Sequence, residues 1–361
     1  MERKRIVKKI PVAILGATGA VGQRLVSLLF SHPWFEPVAL CASGRSEGRP
    51  YAEAARWLLP SPMPAAAAAL TVRGCAPLPG IALAFSALDS SVAGGAEEAW
   101  AGAGALVVSN ARNHRMRDDV PLVVPEINPS HLALARLQAW PRGGAIVTNP
   151  NCSTIGLALA LKPLHDRFGV SSAQVVTLQA ASGAGYPGVP SLDLLDNAVP
   201  FIEGEEEKLE TEPLKLLGTL RDEGRPRVDF AGIRLGAACH RVAVSDGHLA
   251  AVSIKLARPA GHGEILSAWS GFSGESARFG LPSAVESPVR YRDEEDRPQP
   301  RLDRDAGGGM AVSAGRLRPC PIMDWKFELL SHNTVRGAAG GTVLLAELCI
   351  ASGMVPGRPA G

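Results

Sequence analysis

The sequence predicts an α/β protein in two parts. A Rossmann-type doubly wound parallel sheet is expected over 1–151, completed by a returning C-terminal helix within 332–361. An α+β unit with a mainly antiparallel sheet is expected over 152–331. Three observations carry this expectation. Strand-like runs alternate with helical ones through the first 150 residues, the pattern of parallel strands joined by crossover helices. A glycine-rich turn, GATGAVG at 16–22, joins the first strand to the first helix. In the second half, alternating apolar runs flank a DG turn at 246–247, which is a hairpin signal.

Taken in order, IPVAIL (10–15) reads as a short buried strand, and QRLVSLLFSH (23–32) has the apolar spacing of a helix. PVALCAS (37–43) is the second strand, and the Pro/Ala-rich stretch 58–70 is irregular. IALAFSAL (81–88) and GALVVSN (104–110) are two more strands with an alanine-rich helix between them; GAIVTNP (144–150) is another. AQVVTLQAAS (173–182) is strand-like. ACHRVAV (238–244) and HLAAVSIKL (248–256) form the expected hairpin. SAGRLRPCPIMDWKFELLSHN (313–333) holds two further strands, and RGAAGGTVLLAELCIAS (336–352) a last helix. The polar stretch 290–308 reads as an exposed loop.

Composition narrows the function classes. Hydrophobic residues make up 46% and charged residues 20% of 361, ordinary for a globular protein of two domains. A net charge of +2 gives no reason to expect nucleic acid or a membrane surface as partner. No apolar run reaches the roughly 18 residues a membrane span needs, and the basic start MERKRIVKK does not resemble a signal peptide. Six cysteines without a C-x-x-C pair argue against a disulfide framework or zinc site and for the reducing cytoplasm.

The glycine turn is a candidate dinucleotide site. Gly16, Gly19 and Gly22, with Thr18, Ala20 and Val21 between them, let the backbone approach a pyrophosphate at a helix N-terminus. The spacing is G-x-x-G-x-x-G, so the strand–turn–helix context carries the inference more than the motif does. After the second strand, an NAD site offers an acid to the ribose hydroxyl. Here CASGRSEG presents Ser43, Arg45 and Ser46 first, a set suited to a 2′-phosphate, which favours NADP(H).

The candidate chemical centre is NPNCSTI. Cys152 follows a strand and opens a helix, with Ser153 and Thr154 able to cap the first turn. The positive end of a helix lowers a thiol pKa. On these grounds Cys152 is equally readable as a nucleophile or as an inert buried residue. A nucleophilic thiol beside a nicotinamide implies aldehyde–acyl redox chemistry through a thioester, which needs a proton-handling group and a carboxylate anchor. His248 opens a strand across the turn from Arg241, with His240 and His332 as rivals.

Eight segments together, GATGAVG, SNARNHRM, VPEINP, NPNCSTI, LQAASGAGYPG, EEEKLETE, CHRVAVSDGH and SHNTVRGAAGG, resemble the successive motifs of the aspartate-semialdehyde dehydrogenases, in their archaeal and fungal branch. The resemblance covers nearly the whole chain. It implies an enzyme of amino-acid biosynthesis (lysine, threonine, methionine) that reduces L-aspartyl 4-phosphate with NADPH through a Cys152 thioester, and makes 152–331 a catalytic and dimerisation domain. It also implies that His248 is the acid/base and that Gln179 orients the reacting group. Arg241 would then bind the substrate carboxylate and Glu205 its amino group. Lys208, Arg115 and Asn151 would anchor phosphate, and Ser182, Gly183 and Asn333 would line the cofactor cleft. The implied assembly is a homodimer or homotetramer. Arg112 stands where a small residue is usual in the family. Taken without the family, 205–208 reads as a solvated helix face. The same scaffold also serves malonyl-CoA reductase and N-acetyl-glutamyl-phosphate reductase, and a non-catalytic paralogue would be expected to lose the cysteine or histidine.

Overall fold

The computed structural model describes residues 9–355; the basic start at 1–8 and the last residues, 356–361, lie outside the described residues. The first sheet is built from β1 (Ile10–Leu15), β2 (Phe35–Cys41), β3 (Leu83–Ser86), β4 (Leu106–Ser109) and β5 (Ala145–Thr148). Its order is β2-β1-β3-β4-β5, and every pair is parallel. Crossovers include α1 (Ala20–Leu29) and α2 (Ser90–Gly102). The stretch expected to be irregular contains one short helix, Ala65–Ala68. Strands β3 and β4 are buried at every position, as parallel strands covered on both faces must be.

α3 (Cys152–Phe168) leaves the end of β5 and is buried along most of its length. A seven-stranded mixed sheet follows, formed by β6 (Val170–Gln179), β7 (Ala198–Val199), β10 (Arg234–Val242), β11 (His248–Leu256), β12 (Val289–Arg292), β13 (Val312–Pro319) and β14 (Trp325–Ser331). Between β7 and β10 lie α4 (Glu205–Leu216) and a small exposed hairpin of β8 (Thr219–Arg221) and β9 (Arg227–Asp229). α5 (His262–Ser270) packs against α3 through Trp269, whose Nε1 donates to Ala160 O.

The expected hairpin is not formed. The sheet order is β12-β13-β14-β11-β6-β10-β7, so β6 runs between β10 and β11, parallel to the first and antiparallel to the second. The link 243–247 therefore crosses two strand spacings, about 10 Å, which five residues reach easily. The DG signal reports the local turn, and Gly247 does adopt φ +100°. It carries no information about a third strand entering from elsewhere. This arrangement puts Gln179 directly opposite Arg241, with Leu178 opposite Leu249 on the other side.

The polar stretch 290–308 also differs from the exposed loop expected of it. It contributes β12 and wraps around Asp303, which is 5% exposed. Arg297 Nε (2.6 Å) and Gln299 N (2.7 Å) both donate to that carboxylate. Like many polar stretches it hides a neutralised charge, and composition does not distinguish that from solvation.

The C-terminal segment opens with a π-turn, Val335–Ala339, and continues as α6 (Gly340–Ala351). α6 is apolar on all sides and accordingly buried on all sides. It packs with Ile10, Val12, Ile14 and Leu25 in the core of the first sheet. Its acid, Glu347, is held by His32 Nε2 at 2.7 Å and by Ser283 N.

Candidate active site

The carboxyl ends of β1, β5, β6 and β10 and the start of β11 meet on one side of the molecule, and the candidate residues sit there. Cys152 is half-buried at the first position of α3. The cap is Asn151, whose Oδ1 accepts from Ser153 N (2.9 Å) and Thr154 N (3.3 Å). Ser153 and Thr154 do not cap the turn as their types suggest, because their chains point into the core, where both hydroxyls are buried without a partner among the described residues.

His248 Nε2 lies 3.3 Å from Cys152 Sγ. The rivals lie elsewhere: His332 Nε2 is 3.7 Å from Asp305, and His240 Nδ1 has no hydrogen-bond partner among the described residues. The helix terminus predicts a thiol with a lowered pKa; burial and the Glu205 charge around Cys152 act in the opposite direction. Burial, with Glu205 adding to it, pushes the Cys152 thiol up to about 12, against the pull of Arg115, Arg241 and Lys208. Desolvation outweighs a half-charge at one helix end because it acts on the full charge of the thiolate. His248 is driven down to about 3, chiefly by burial and then by Arg241.

A buried network surrounds this pair. Glu205 is 7% exposed, so the solvated-face reading of 205–208 fails there, while Glu206 and Glu207 are exposed as it expects. Its carboxylate accepts from Lys208 Nζ (2.7 Å), Asn151 Nδ2 (3.0 Å) and Gln179 Nε2 (3.2 Å). Burial raises the Glu205 pKa, but Lys208 and these hydrogen bonds outweigh it and hold the group below its usual value. Gln179 Nε2 also lies 3.3 Å from Thr177 Oγ1. Arg241 Nη1 donates to Ala180 O at 2.8 Å. Arg115 donates to Glu212 (2.9 Å) and to Asn110 O (2.6 Å). Arg112 is exposed, with its guanidinium beside Gly204 at the start of α4.

Two contributions escaped the sequence. Glu212 accepts from Asn151 N (2.7 Å) as well as from Arg115, and so ties the start of the thiol's helix to a cation. It lies two turns along α4 from Glu205, on the same face, and that spacing was a usable signal. The second is the pair Arg336–Glu126, fully buried and bidentate at 2.7 Å for each bond. It anchors the π-turn whose Gly337 touches Cys152, and the sequence carries no signal for it.

On the nucleotide side, Gly22 packs under the turn it closes: a Cβ there would lie 2.1 Å from Gly16 O. α1 begins at Gly19 with no side-chain cap and no acid in its first turn, so its N–H groups face a ligand site. Gln23 braces the turn by donating to Thr18 O (2.9 Å) and Arg56 O (2.8 Å). Val21 packs on the core of the first sheet. Ala20, Arg24, Ser182, Tyr186, Asp246 and Thr334 border a cavity of about 330 Å³ between the glycine turn and His248's loop. Asn333 ties that loop together, accepting from Gly247 N (2.8 Å) and donating to Ser182 Oγ (2.8 Å). Ser43 and Arg45 are exposed after β2, and Ser46 N closes their turn onto Ser43 O at 2.9 Å. An uncapped helix end, an adjoining cavity and an exposed arginine with two serines fit a phosphorylated dinucleotide.

Gly183 lies so close to the centre that a Cβ would stand 2.6 Å from Arg241 Nη1 and 3.1 Å from His248 Cε1. Gly183→Ala is expected to lower kcat/KM about a hundredfold by misplacing both side chains, with the thermal midpoint little changed. Steady-state kinetics beside a melting curve would check this, and unaltered kinetics would refute it.

The fold and the glycine-turn site define a nicotinamide-dependent dehydrogenase, with a thiol and an imidazole in contact at the sheet's carboxyl edge. The comparisons agree. The family model described as semialdehyde dehydrogenase, NAD binding domain, matches residues 11–135, and that described as semialdehyde dehydrogenase, dimerisation domain, matches 161–336. The aspartate-semialdehyde dehydrogenase of Methanothermobacter thermautotrophicus is 50% identical over 345 residues, 94% of this chain and 98% of the relative. That of Archaeoglobus fulgidus is 48% identical over 343 residues, 94% and 97% of the two chains. The crystal structure of the Candida albicans enzyme with NADP superposes with a TM-score of 0.88 at 42% identity, covering 95% of this chain and 99% of the other. The chain belongs to the aspartate-semialdehyde dehydrogenase family.

Proposed function

We propose that the protein reduces L-aspartyl 4-phosphate to L-aspartate 4-semialdehyde, with release of phosphate, through a thioester on Cys152. The observation that carries this is the 3.3 Å contact between Cys152 Sγ and His248 Nε2 in a pocket ringed by Arg115, Lys208 and Arg241. Sulfur attacks the acyl carbon, the C–S bond forms and the bond to phosphate breaks. NADP(H) is the proposed cofactor; when bound, its nicotinamide supplies the hydride. Gly16, Thr18, Gly19, Ala20, Val21 and Gly22 would hold the pyrophosphate, and Ser43, Arg45 and Ser46 the 2′-phosphate. Ser182, Gly183 and Asn333 would flank the nicotinamide.

His248 is the proposed proton-handling residue. Arg241 grips the substrate α-carboxylate with its planar guanidinium, and Glu205 takes the amino group. Lys208, Arg115 and Asn151 hold the phosphate, and Gln179 orients the reacting carbonyl. Glu205 and Lys208, paired at 2.7 Å, favour a small zwitterionic acyl phosphate over a coenzyme A thioester.

The proposed division is a nucleotide domain of 1–151 with 332–361, and a catalytic and dimerisation domain of 152–331. A homodimer, or a homotetramer built from it, is supported by Val176 and Leu178, which lie exposed on the open face of β6. A cytoplasmic location is supported by six free cysteines, and among the described residues no helix is long and apolar enough to cross a membrane.

Running the reaction backwards tests the assignment. The purified protein should reduce NADP⁺ with L-aspartate semialdehyde only when phosphate is present. Reduction of malonyl-CoA by NADPH, with no phosphate-dependent reverse rate, would replace this function with another on the same scaffold.

A further inference from the structure

Glu212 is 2% exposed and spends its two carboxylate oxygens on two different elements. Oε1 accepts from Arg115 Nη1 at 2.9 Å, in the loop after β4, and Oε2 accepts from Asn151 N at 2.7 Å, where α3 begins. We propose that Glu212 is a positioning residue for the phosphoryl group: it fixes the Arg115 guanidinium and Asn151 relative to each other, so that both meet one anion. The inference rests on the phosphate-anchoring roles proposed above and adds a residue that acts through them.

One carboxylate can set this geometry because each partner is also held at a second point. Arg115 Nη2 donates to Asn110 O (2.6 Å), so bonds from two nitrogens fix the plane of the guanidinium. Asn151 Nδ2 donates to Glu205 (3.0 Å) and its Oδ1 caps α3, which leaves the second Nδ2 hydrogen for an anion. α4 itself is pinned to the Arg115 loop by Lys215, one turn beyond Glu212 and 2% exposed. Its Nζ donates to Arg115 O (2.8 Å), Arg117 O (2.7 Å) and Val120 O (2.9 Å), which uses every hydrogen of the ammonium. The backbone of Arg115 thus hangs from Lys215 and its side chain from Glu212, both on the helix that opens with Glu205.

A carboxylate beside a cation also offsets its charge, and the two effects have opposite signs. If screening dominated, removing the charge of Glu212 would tighten phosphate, because Arg115 would keep its full attraction. Burial favours positioning. The side chains of Arg115 and Glu212 are 8% and 3% exposed, so water does not replace a lost partner. A guanidinium freed from Glu212 turns towards another acceptor, and a misplaced arm costs more than the recovered charge returns.

Glu212→Gln keeps the shape of the side chain but turns one oxygen into an NH₂ group, so only one of the two donors still finds an acceptor. In the phosphate-dependent reverse reaction, KM for phosphate should rise about ten- to a hundredfold, the worth of one charge-assisted hydrogen bond. KM for NADP⁺ should stay within about twofold of wild type. A merely structural loss would lower the active fraction, and so kcat, without moving any KM. A second measurement needs no turnover. Inorganic phosphate should slow the alkylation of Cys152 by iodoacetamide in the wild type, and Glu212→Gln should need about ten times more phosphate, or above, for the same protection. If the single variant folds poorly, Glu212→Gln with Arg115→Met removes the stranded charge. Compared with Arg115→Met alone, the double variant should add less than about threefold to KM for phosphate, because the arm that Glu212 orients is gone. Unchanged or tighter phosphate binding in Glu212→Gln, equal costs with and without Arg115, or a wild type that phosphate does not protect would each overturn the proposal. Failure of the reverse assay with protection intact would refute the aspartyl phosphate reading alone.

Discussion

Cys152→Ala is expected to abolish turnover, by about 10⁴-fold or more, while leaving cofactor binding intact. The loss is large because in the proposed thioester route Cys152 is the group that bonds to substrate, and removing a covalent nucleophile leaves only binding and electrostatic stabilisation. Binding should survive because the glycine turn and the exposed Ser43–Ser46 turn belong to the β1–α1 and β2 ends of the first sheet, remote in the chain from α3. The fold should survive as well, within about 1 kcal/mol, since Asn151 and not the thiol caps the helix. Steady-state assay and NADPH fluorescence titration check the two halves. Retained turnover would sink the thioester route. Lost NADPH binding with lost turnover would mean that the site had collapsed. Cys152→Ser should keep only a trace, because a hydroxyl is a poor nucleophile at neutral pH.

The second large effect is one of stability. Arg336→Met should destabilise the protein by about 3–5 kcal/mol, because it strands the Glu126 carboxylate in the interior. Arg336 is 0% and Glu126 1% exposed, so water cannot replace the lost partner. The pair also locks local backbone: Glu275 N donates to Glu126 O at 3.0 Å, and Arg336 lies inside the π-turn. The double variant Arg336→Met with Glu126→Gln removes both charges and should recover much of the loss. Urea unfolding of the three proteins reads the result, and a single variant as stable as the parent would refute the account. Catalysis should fall as well, because Gly337 in the same turn packs against Cys152.

The sequence revealed the nucleotide half almost completely. Buried parallel strands and amphipathic crossovers announce themselves by apolar period, and all five strands of the first sheet fall inside the runs that predict them or within two residues of them. The second half was legible element by element but not in its pairing. The runs 238–244 and 248–256 are both strands, yet their neighbour is a segment some sixty residues earlier in the chain, and no local signal encodes such a contact. Charge was the other blind spot. Asp303 and Glu205 lie in polar stretches that look solvated and are buried, because their partners Arg297 and Lys208 neutralise them within a few residues. The helix-end argument for the Cys152 thiol was incomplete. It counted the helix's field and omitted the cost of taking the thiolate out of water.

The return of α6 to the first sheet bears on how the chain is made. The ribosome releases 9–148 long before it releases 340–351, so for most of synthesis the nucleotide half lacks the helix that packs with Ile10, Val12 and Ile14. That surface must wait exposed or be shielded by other factors, since domains fold as they emerge only when their own core is complete. A nascent chain shortened by its last few turns would therefore fail at its beginning, where the core that holds β1 would lack one of its walls.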